Sequence, residues 1–117
     1  KEISGIQISP EAIPFQLADV KPTFQGGDAN TFSRWVNENL VYPQEAHEKK
    51  IQGRITLRFT VSETGKVTDV AVLKGIDPIL DKEALRVLEL SPDWTPGQSN
   101  GRIVPVTYTF PIIFQLR

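Results

Sequence analysis

The feature that most limits the possible folds of this chain is an alternating run near its centre. From residue 54 to residue 61, Arg and Thr residues alternate with four apolar residues, Ile55, Leu57, Phe59 and Val61. A sustained period of two is typical of a strand with one buried and one exposed face. The turn sequence Ser62-Glu63-Thr64-Gly65 follows, and residues 66–74 supply a return strand. The centre of the chain is therefore predicted to form an antiparallel hairpin.

The valines of the return strand, Val67, Val70 and Val72, do not share one parity. A β-bulge near Thr68-Asp69 would place all three on the same face, and bulges are common in antiparallel pairs. We therefore expect a bulge at that point.

Three segments carry helical signals. The first follows several N-cap candidates in residues 28–31, and its apolar face is formed by Phe32, Trp35, Val36 and Leu40. A short second helix is expected from Pro43 to about Lys50. Asp77-Pro78 is an N-cap followed by a first helical residue, and it opens a third helix with the apolar stripe Leu80, Ala84, Val87 and Leu88.

The last apolar segment, residues 103–116, is predicted to form one long strand. Strands that are polar on one face need helices over the other face only. The sequence therefore predicts an α+β two-layer sandwich, in which helices cover one face of a three-stranded antiparallel sheet. The hairpin's second strand, its first strand and the last strand are expected to be neighbours in that order.

Composition limits the function of the chain more than it limits the fold. The 117 residues contain no Cys, no Met and one His, with a formal net charge of -1. This excludes disulfides and thiolate sites, gives no electrostatic reason to expect nucleic acid, and leaves no metal or cofactor site that we would assign. His47, Asp81 and Glu83 are best explained as surface helix residues, and Trp35 and Trp94 as core residues. Because the chain starts with Lys1 and lacks Met, we expect it to be a piece of a longer product.

Two prolines mark the last strand. Pro105 and Pro111 have the same parity, so the donors they lack would all point to one side, which should be the free edge of the sheet. Thr107 and Thr109, between them, would keep their backbone groups on that side. From the residues alone, protection of the edge against aggregation and binding of a partner strand are equally favoured.

An ordered set of short motifs resembles the C-terminal domain of TonB energy transducers, most closely the branch frequent in Bacteroidetes. The motifs are Phe24-x-Gly26-Gly27, Trp35, Asn39-x-x-Tyr42-Pro43, Ala46, Gly53-Arg54-Ile55, Phe59-x-Val61, Gly65-x-Val67, Leu80-Asp81-x-Glu83-Ala84-x-Arg86, Trp94-x-Pro96-Gly97 and Pro111-Ile112-x-Phe114. The likeness covers about residues 22–117. It divides the chain into an N-terminal arm or linker remnant, residues 1–23, and a TonB-like domain, residues 24–117.

The resemblance implies a non-enzymatic periplasmic domain, anchored to the inner membrane by a region outside this chain and working with a proton-driven motor complex. Such a domain binds the TonB box peptide of outer-membrane receptors by strand addition, and the receptors take up siderophores, cobalamin or glycans. The residues expected to bind the partner are Asn39, Ile103, Pro105, Val106, Thr107, Tyr108, Thr109 and Phe110. Two alternatives remain open at this stage, a TonB-like module of a membrane metalloprotease-type antibiotic sensor and a periplasmic carbohydrate-binding module.

Overall fold

The structure is a computed structural model that describes residues 12–116. A single 3-10 turn, Phe15–Leu17, follows the first strand. The strands and helices, in chain order, are β1 (Ile13–Pro14), α1 (Ala29–Asn39), α2 (Gln44–Glu48), β2 (Gly53–Val61), β3 (Val67–Lys74), α3 (Pro78–Glu89), β4 (Gly97–Ser99), β5 (Arg102–Val104) and β6 (Val106–Phe114).

The main sheet has the order β1-β6-β2-β3, with helices packed on it. The predicted α+β class is confirmed, and β3, β2 and β6 are neighbours in the predicted order with antiparallel pairing. The predicted count of three strands is wrong, because β1 adds a fourth strand parallel to β6. A strand of two residues, one of them proline, has no periodicity that a sequence pattern could reveal.

The expected bulge lies in β3. Arg58 pairs with Ala71 and Thr60 pairs with Thr68, so β3 carries one extra residue between these pairs. Asp69, in that interval, has a φ of 53°. A second register shift lies between the Thr56 and Leu57 pairs. Bulges increase the local twist of a strand and disrupt its ladder.

The prediction of one continuous strand over residues 103–116 is wrong. The segment divides at Pro105 into β5 and β6, and β5 pairs with β4 in a separate two-stranded sheet. The turn between β4 and β5 is Asn100-Gly101, with φ angles of 55° and 77°. Two successive positive φ angles favour Asn-Gly and match the twist of a tight hairpin. The polar stretch after α3 is therefore a hairpin that leads into β6.

The helix caps follow the sequence. The Asp28 carboxylate accepts hydrogen bonds from the amides of Asn30 at 3.0 Å and Thr31 at 3.3 Å, and the Asp77 carboxylate accepts one from Ile79 at 2.9 Å. Each cap satisfies donors that a helix start would otherwise leave unpaired. The second helix is shorter than predicted, because it ends at Glu48 and Lys50 has a φ of 57°.

Aromatic side chains form the centre of the core. The Phe32 ring lies 5.5 Å from Phe59, 4.8 Å from Trp94 and 5.1 Å from Phe110. Phe59 is fully buried, and its ring lies 5.4 Å from Tyr108. Phe59 and Tyr108 therefore share the helix-covered face, as the alternating pattern predicts.

The segment before α1 is held against the β4–β5 hairpin. Val20 and Gln98 exchange two backbone hydrogen bonds of 3.0 and 2.8 Å, and Thr23 and Thr95 exchange two of 3.1 and 2.8 Å. Ala18, at the start of this segment, is only 4% exposed. Residues 18–24 thus pack firmly on the body. The boundary between arm and domain at residues 23 and 24 stays a prediction, and residues 1–11 lie outside the described residues.

Candidate partner-binding edge

The outer side of β6 can be identified from one hydrogen bond. The amide of Ile13 donates to the carbonyl oxygen of Pro105 at 3.1 Å. Since the side to which backbone groups point alternates along a strand, the odd-numbered residues of β6 direct their polar groups away from β2. The orientation deduced from the prolines is the one that the structure shows at Pro105.

The first half of this edge, residues 105–108, is covered by the chain itself. Ile13 pairs with Val106 and Pro14 pairs with Thr107 in a parallel ladder. Phe15 then stacks on Tyr108, with 4.5 Å between the ring centroids and 17° between their planes. The edge that the sequence predicts to be open is thus occupied over the window that contains Thr107.

The second half of the edge, residues 109–114, has no strand beside it on that side within the described part of the chain. A narrow groove runs between it and α1, lined by Ser33, Val36 and Asn37 from the helix and by Phe110, Pro111, Ile112 and Ile113 from the strand. Thr109, Pro111 and Ile113 are exposed. An extended segment placed here would meet the outward backbone groups of Thr109 and Ile113, the carbonyl of Pro111, and a groove for every second side chain.

The opposite edge of the sheet, β3, is less suited to strand addition. Two register shifts interrupt its pairing with β2, and Asp69 and Lys74 are exposed along it. Bulges and charged side chains are common means by which sheets discourage pairing at an edge. The two edges of the sheet therefore differ, and β6 is the better docking strand.

The residues expected to bind a partner do not all lie on β6. Val106 and Phe110 are buried and anchor the strand, Thr107 and Tyr108 are half-buried, and Thr109 is exposed opposite Arg58. Pro105 is buried between β5 and β6. Ile103 is 52% exposed but belongs to β5, where it pairs with Gln98. The expectation that Ile103 continues the β6 edge is therefore wrong.

Asn39 is set apart from the strand by its own contacts. Its side-chain amide donates to the backbone carbonyl of Trp35 at 2.8 Å, and its backbone carbonyl accepts from the Arg86 guanidinium at 3.2 Å. Asn37, two residues earlier, is the asparagine that lines the groove. Sequence reasoning missed Asn37, Ser33 and the pairing of residues 13–14 with β6. Their i, i+4 spacing placed Ser33 and Asn37 on one side of α1.

A carboxylate on α3 holds the chain where α1 ends. Glu83 accepts from the amide of Val41 at 2.7 Å and forms an ion pair of 2.7 Å with Arg86. Burial raises the pKa of Glu83, but the Arg86 and Val41 hydrogen bonds outweigh it, so the pKa lies below its ordinary value. The carboxylate is therefore a structural clamp between α3 and the segment after α1.

Tyr108 is uncharged at the edge. Burial raises the pKa of its phenol above the ordinary value, and the negative charge of Asp28 adds to the effect. Its stacking on Phe15 is therefore an uncharged aromatic contact at neutral pH.

The side chains considered for other chemistry have structural explanations. His47 is exposed on α2, and Asp81 accepts a hydrogen bond from the amide of Ile76 at 3.1 Å. Trp94 is 4% exposed and donates to Ser91 at 3.2 Å, so it offers no open platform for a sugar. Among residues 12–116, no cluster of three acidic, His or Cys side chains could hold a metal ion, and no helix has the length and apolar character needed to cross a membrane.

Comparison with known sequences gives one family for most of the chain. Residues 38–116 match the family described as the Gram-negative bacterial TonB protein C-terminal. The chain is 28% identical to Protein TonB of Pseudomonas aeruginosa over 76 residues, which is 65% of this chain and 22% of that protein. It therefore spans about a fifth of the length of that relative. The described residues 12–37, which include β1, precede the part that matches the family.

Solved structures agree with the fold. The solution structure of the Helicobacter pylori TonB C-terminal domain is 25% identical, with a TM-score of 0.58, over 80% of this chain and 89% of that one. The solution structure of the Pseudomonas aeruginosa domain is 28% identical, with a TM-score of 0.55, over 66% of this chain and 78% of that one. The likeness thus extends over most of the described elements.

Proposed function

Because this chain belongs to the TonB C-terminal family, we propose that it captures the TonB box peptide of outer-membrane receptors by strand addition along β6 and transmits force to them. TonB C-terminal domains are periplasmic, non-enzymatic parts of energy transducers with a role in transport. The proposal also includes an inner-membrane anchor outside this chain, a proton-driven motor complex as its partner, and receptors that take up siderophores, cobalamin or glycans. It places the chain in the branch of the family that is frequent in Bacteroidetes. The observation that supports the proposal most directly is the outward direction of the backbone groups along the edge of β6.

Strand addition needs a row of backbone donors and acceptors that points outward from a sheet. By alternation from the Ile13 to Pro105 bond, the odd-numbered residues of β6 have that orientation, and among them Pro111 offers only its carbonyl. A two-residue segment of the chain already pairs there in a parallel ladder. An extended peptide satisfies such groups whatever its sequence, and therefore main-chain hydrogen bonds provide the affinity.

The groove beside the second half of β6 supports selectivity. Alternate side chains of an added strand point to opposite faces, so one set enters the groove lined by Ser33, Val36 and Asn37. The helix side of the groove has the buried Val36 at its base and the hydroxyl of Ser33 and the amide of Asn37 beside it. A peptide with alternating apolar residues, one of them next to a polar group, fits it best.

The proposal is tested by substituting Pro at Thr109. The outward amide of Thr109 is lost, while the bonds of the even-numbered residues to β2 remain. A lost hydrogen bond costs on the order of 1 kcal/mol, about a fivefold loss of affinity, and the clash with the proline ring adds to it. Thr109→Ala, which keeps the amide, is the matched control and should bind like the parent chain.

The measurement is titration of the labelled chain with a panel of synthetic TonB box peptides, followed by NMR. Shifts and new amide protection should concentrate on β6 and on Ser33 to Asn37. Urea unfolding of Thr109→Pro should show a folded domain. Protection on β3 or on the outer faces of the helices, together with undiminished binding by Thr109→Pro, would refute strand addition along β6.

A further inference from the structure

The arm shows which kind of segment can pair with β6 at residues 105–108. Ile13 directs its backbone groups to β6, since its amide bonds to Pro105. Pro14, the next residue, therefore directs its nitrogen away from the ladder, where a missing donor breaks no bond. Phe15 follows and lies flat against Tyr108. The segment Ile13-Pro14-Phe15 is a parallel strand that ends in an aromatic anchor.

The two parts of the arm are held very differently. Residues 18–24 exchange four backbone bonds with Thr95 and Gln98 and include the buried Ala18. Residues 13–17 make two ladder pairs and one aromatic stack, and Leu17 is 67% exposed. The ammonium group of Lys21, in the second part, lies 5.7 Å from the centroid of the Phe15 ring in the first. Segments with few buried contacts open locally while the rest of a fold stays intact.

A partner strand that extends to residues 105–108 cannot share the edge with β1, because each outward backbone group of β6 faces one neighbour. We propose that the arm segment Ile13–Phe15 is a displaceable stand-in for the receptor peptide. The peptide that replaces it is extended, runs parallel to β6 and places an apolar or aromatic side chain against Tyr108. This inference rests on the proposed function and adds the kind of peptide and the exchange step.

Exchange has a measurable consequence for affinity. If the edge is open only in a fraction of molecules, the apparent dissociation constant is the intrinsic one divided by that fraction. Phe15→Ala removes a stack that contributes roughly as much as other aromatic pairs, so the open fraction should rise and the peptide should bind about two- to tenfold more tightly. Leu17→Ala is the matched control, because it removes an exposed side chain from the same segment. Its affinity should stay within about twofold of the parent value.

A reversible lock gives the sharper test. The chain has no cysteine, so Pro14→Cys combined with Thr107→Cys introduces one disulfide between two residues that pair across β1 and β6. Directly paired strand residues lie within the Cα separation that a disulfide spans. Oxidation fixes the arm in place and reduction releases it. The same protein is therefore its own control for both substitutions.

The probe is the TonB box peptide of the panel that binds the parent chain most tightly, measured by calorimetry and by NMR. The reduced double variant should bind it, and the oxidised form should bind at least tenfold more weakly, because only residues 109–114 remain accessible. In the parent chain, the peptide should also abolish the contacts of Phe15 with Tyr108.

The outcomes separate this inference from the proposed function. Equal affinity of oxidised and reduced forms, with Phe15 still on Tyr108 in the bound state, would overturn exchange but leave strand addition on residues 109–114 intact. Absence of binding by the parent chain to every TonB box peptide would overturn both. Tighter binding by Leu17→Ala than by Phe15→Ala would show that the stack on Tyr108 is not the contact that holds the arm.

Discussion

Replacing Phe59 by Ala should remove a large part of the stability of this domain. The side chain is 0% exposed, and its ring lies 5.4 Å from Tyr108, 5.5 Å from Phe32 and 5.8 Å from Trp94. Truncation of a buried Phe to Ala typically costs about 3 to 5 kcal/mol through lost transfer energy and the cavity left behind. Because these three ring pairs and a fourth with Phe110 at 6.5 Å are lost together, we expect about 4 kcal/mol.

The assay is urea unfolding followed by far-UV circular dichroism and by tryptophan fluorescence, since Trp94 is a neighbour of the deleted ring. With a slope of about 2 kcal/mol per molar urea for a domain of this size, the midpoint should fall by about 2 M. Arg58→Ala is the matched control, because Arg58 is next in sequence, exposed and on the other face. Its free energy of unfolding should change by no more than about 0.5 kcal/mol.

A loss below about 1 kcal/mol for Phe59→Ala would refute the register of β2. If Phe59→Ala does not fold at all, Phe59→Leu keeps most of the volume and should lose about 1 to 2 kcal/mol. A larger loss of unfolding free energy for Arg58→Ala than for Phe59→Leu would show that the face of β2 carrying Arg58, and not the one carrying Phe59, packs against the helices.

Two further predictions concern the hairpin turn and the clamp on α3. In urea unfolding, Gly65→Ala should lower the free energy of unfolding clearly more than Gly26→Ala does. Both glycines have positive φ, but a Cβ at Gly65 would lie 2.0 Å from the carbonyl oxygen of Trp94, whereas none of the described atoms lies within 4 Å of a Cβ at Gly26. Equal losses would contradict the steric argument. Glu83 has a folded-state pKa below its ordinary value of 4.5, so its stabilisation is complete above that value and is lost as pH falls through the lower folded-state pKa. At pH 7, the free energy of unfolding of Glu83→Gln should therefore be about 1 kcal/mol lower than that of the parent chain. Between pH 5 and pH 3 it should fall less steeply than that of the parent chain. An unchanged pH profile would show that the clamp contributes no charge-dependent stability.

The parts of the fold that could be predicted are those set by local signals. Asp28 and Asp77 cap the two long helices that follow them, and the alternation in β2 determines which face is buried. These signals act within a few residues, so the sequence alone contains them. The sequence signal for the β4–β5 hairpin is equally local. Its Asn100-Gly101 turn is a strong hairpin signal, but the flanking strands have only three residues each, which is too few to show a period of two.

The sequence predicts an N-terminal arm, but the pairing of that arm with β6 could not be predicted in the same way. The partner of β1 lies about ninety positions later in the chain, and its pairing depends on which edge of β6 the assembled sheet leaves open. The lining of the groove could not be predicted either. The path of α1 across the sheet determines that Asn37, and not Asn39, lies beside β6. The orientation of the β6 edge was predictable, since proline directs its missing donor to a known side. What covers that edge was not.

The unequal attachment of the arm defines how the domain would carry mechanical load. Tension applied to the chain on the N-terminal side of Ala12 reaches the two ladder pairs of β1 before it reaches the reciprocal bond pairs at Val20 and Thr23. Elements in series yield in the order of their strength, so β1 would detach while the bond pairs at Gln98 and Thr95 still hold the body of the domain. A pulled domain would therefore expose the outer edge of β6 at residues 105–108, and a relaxed one would cover it again.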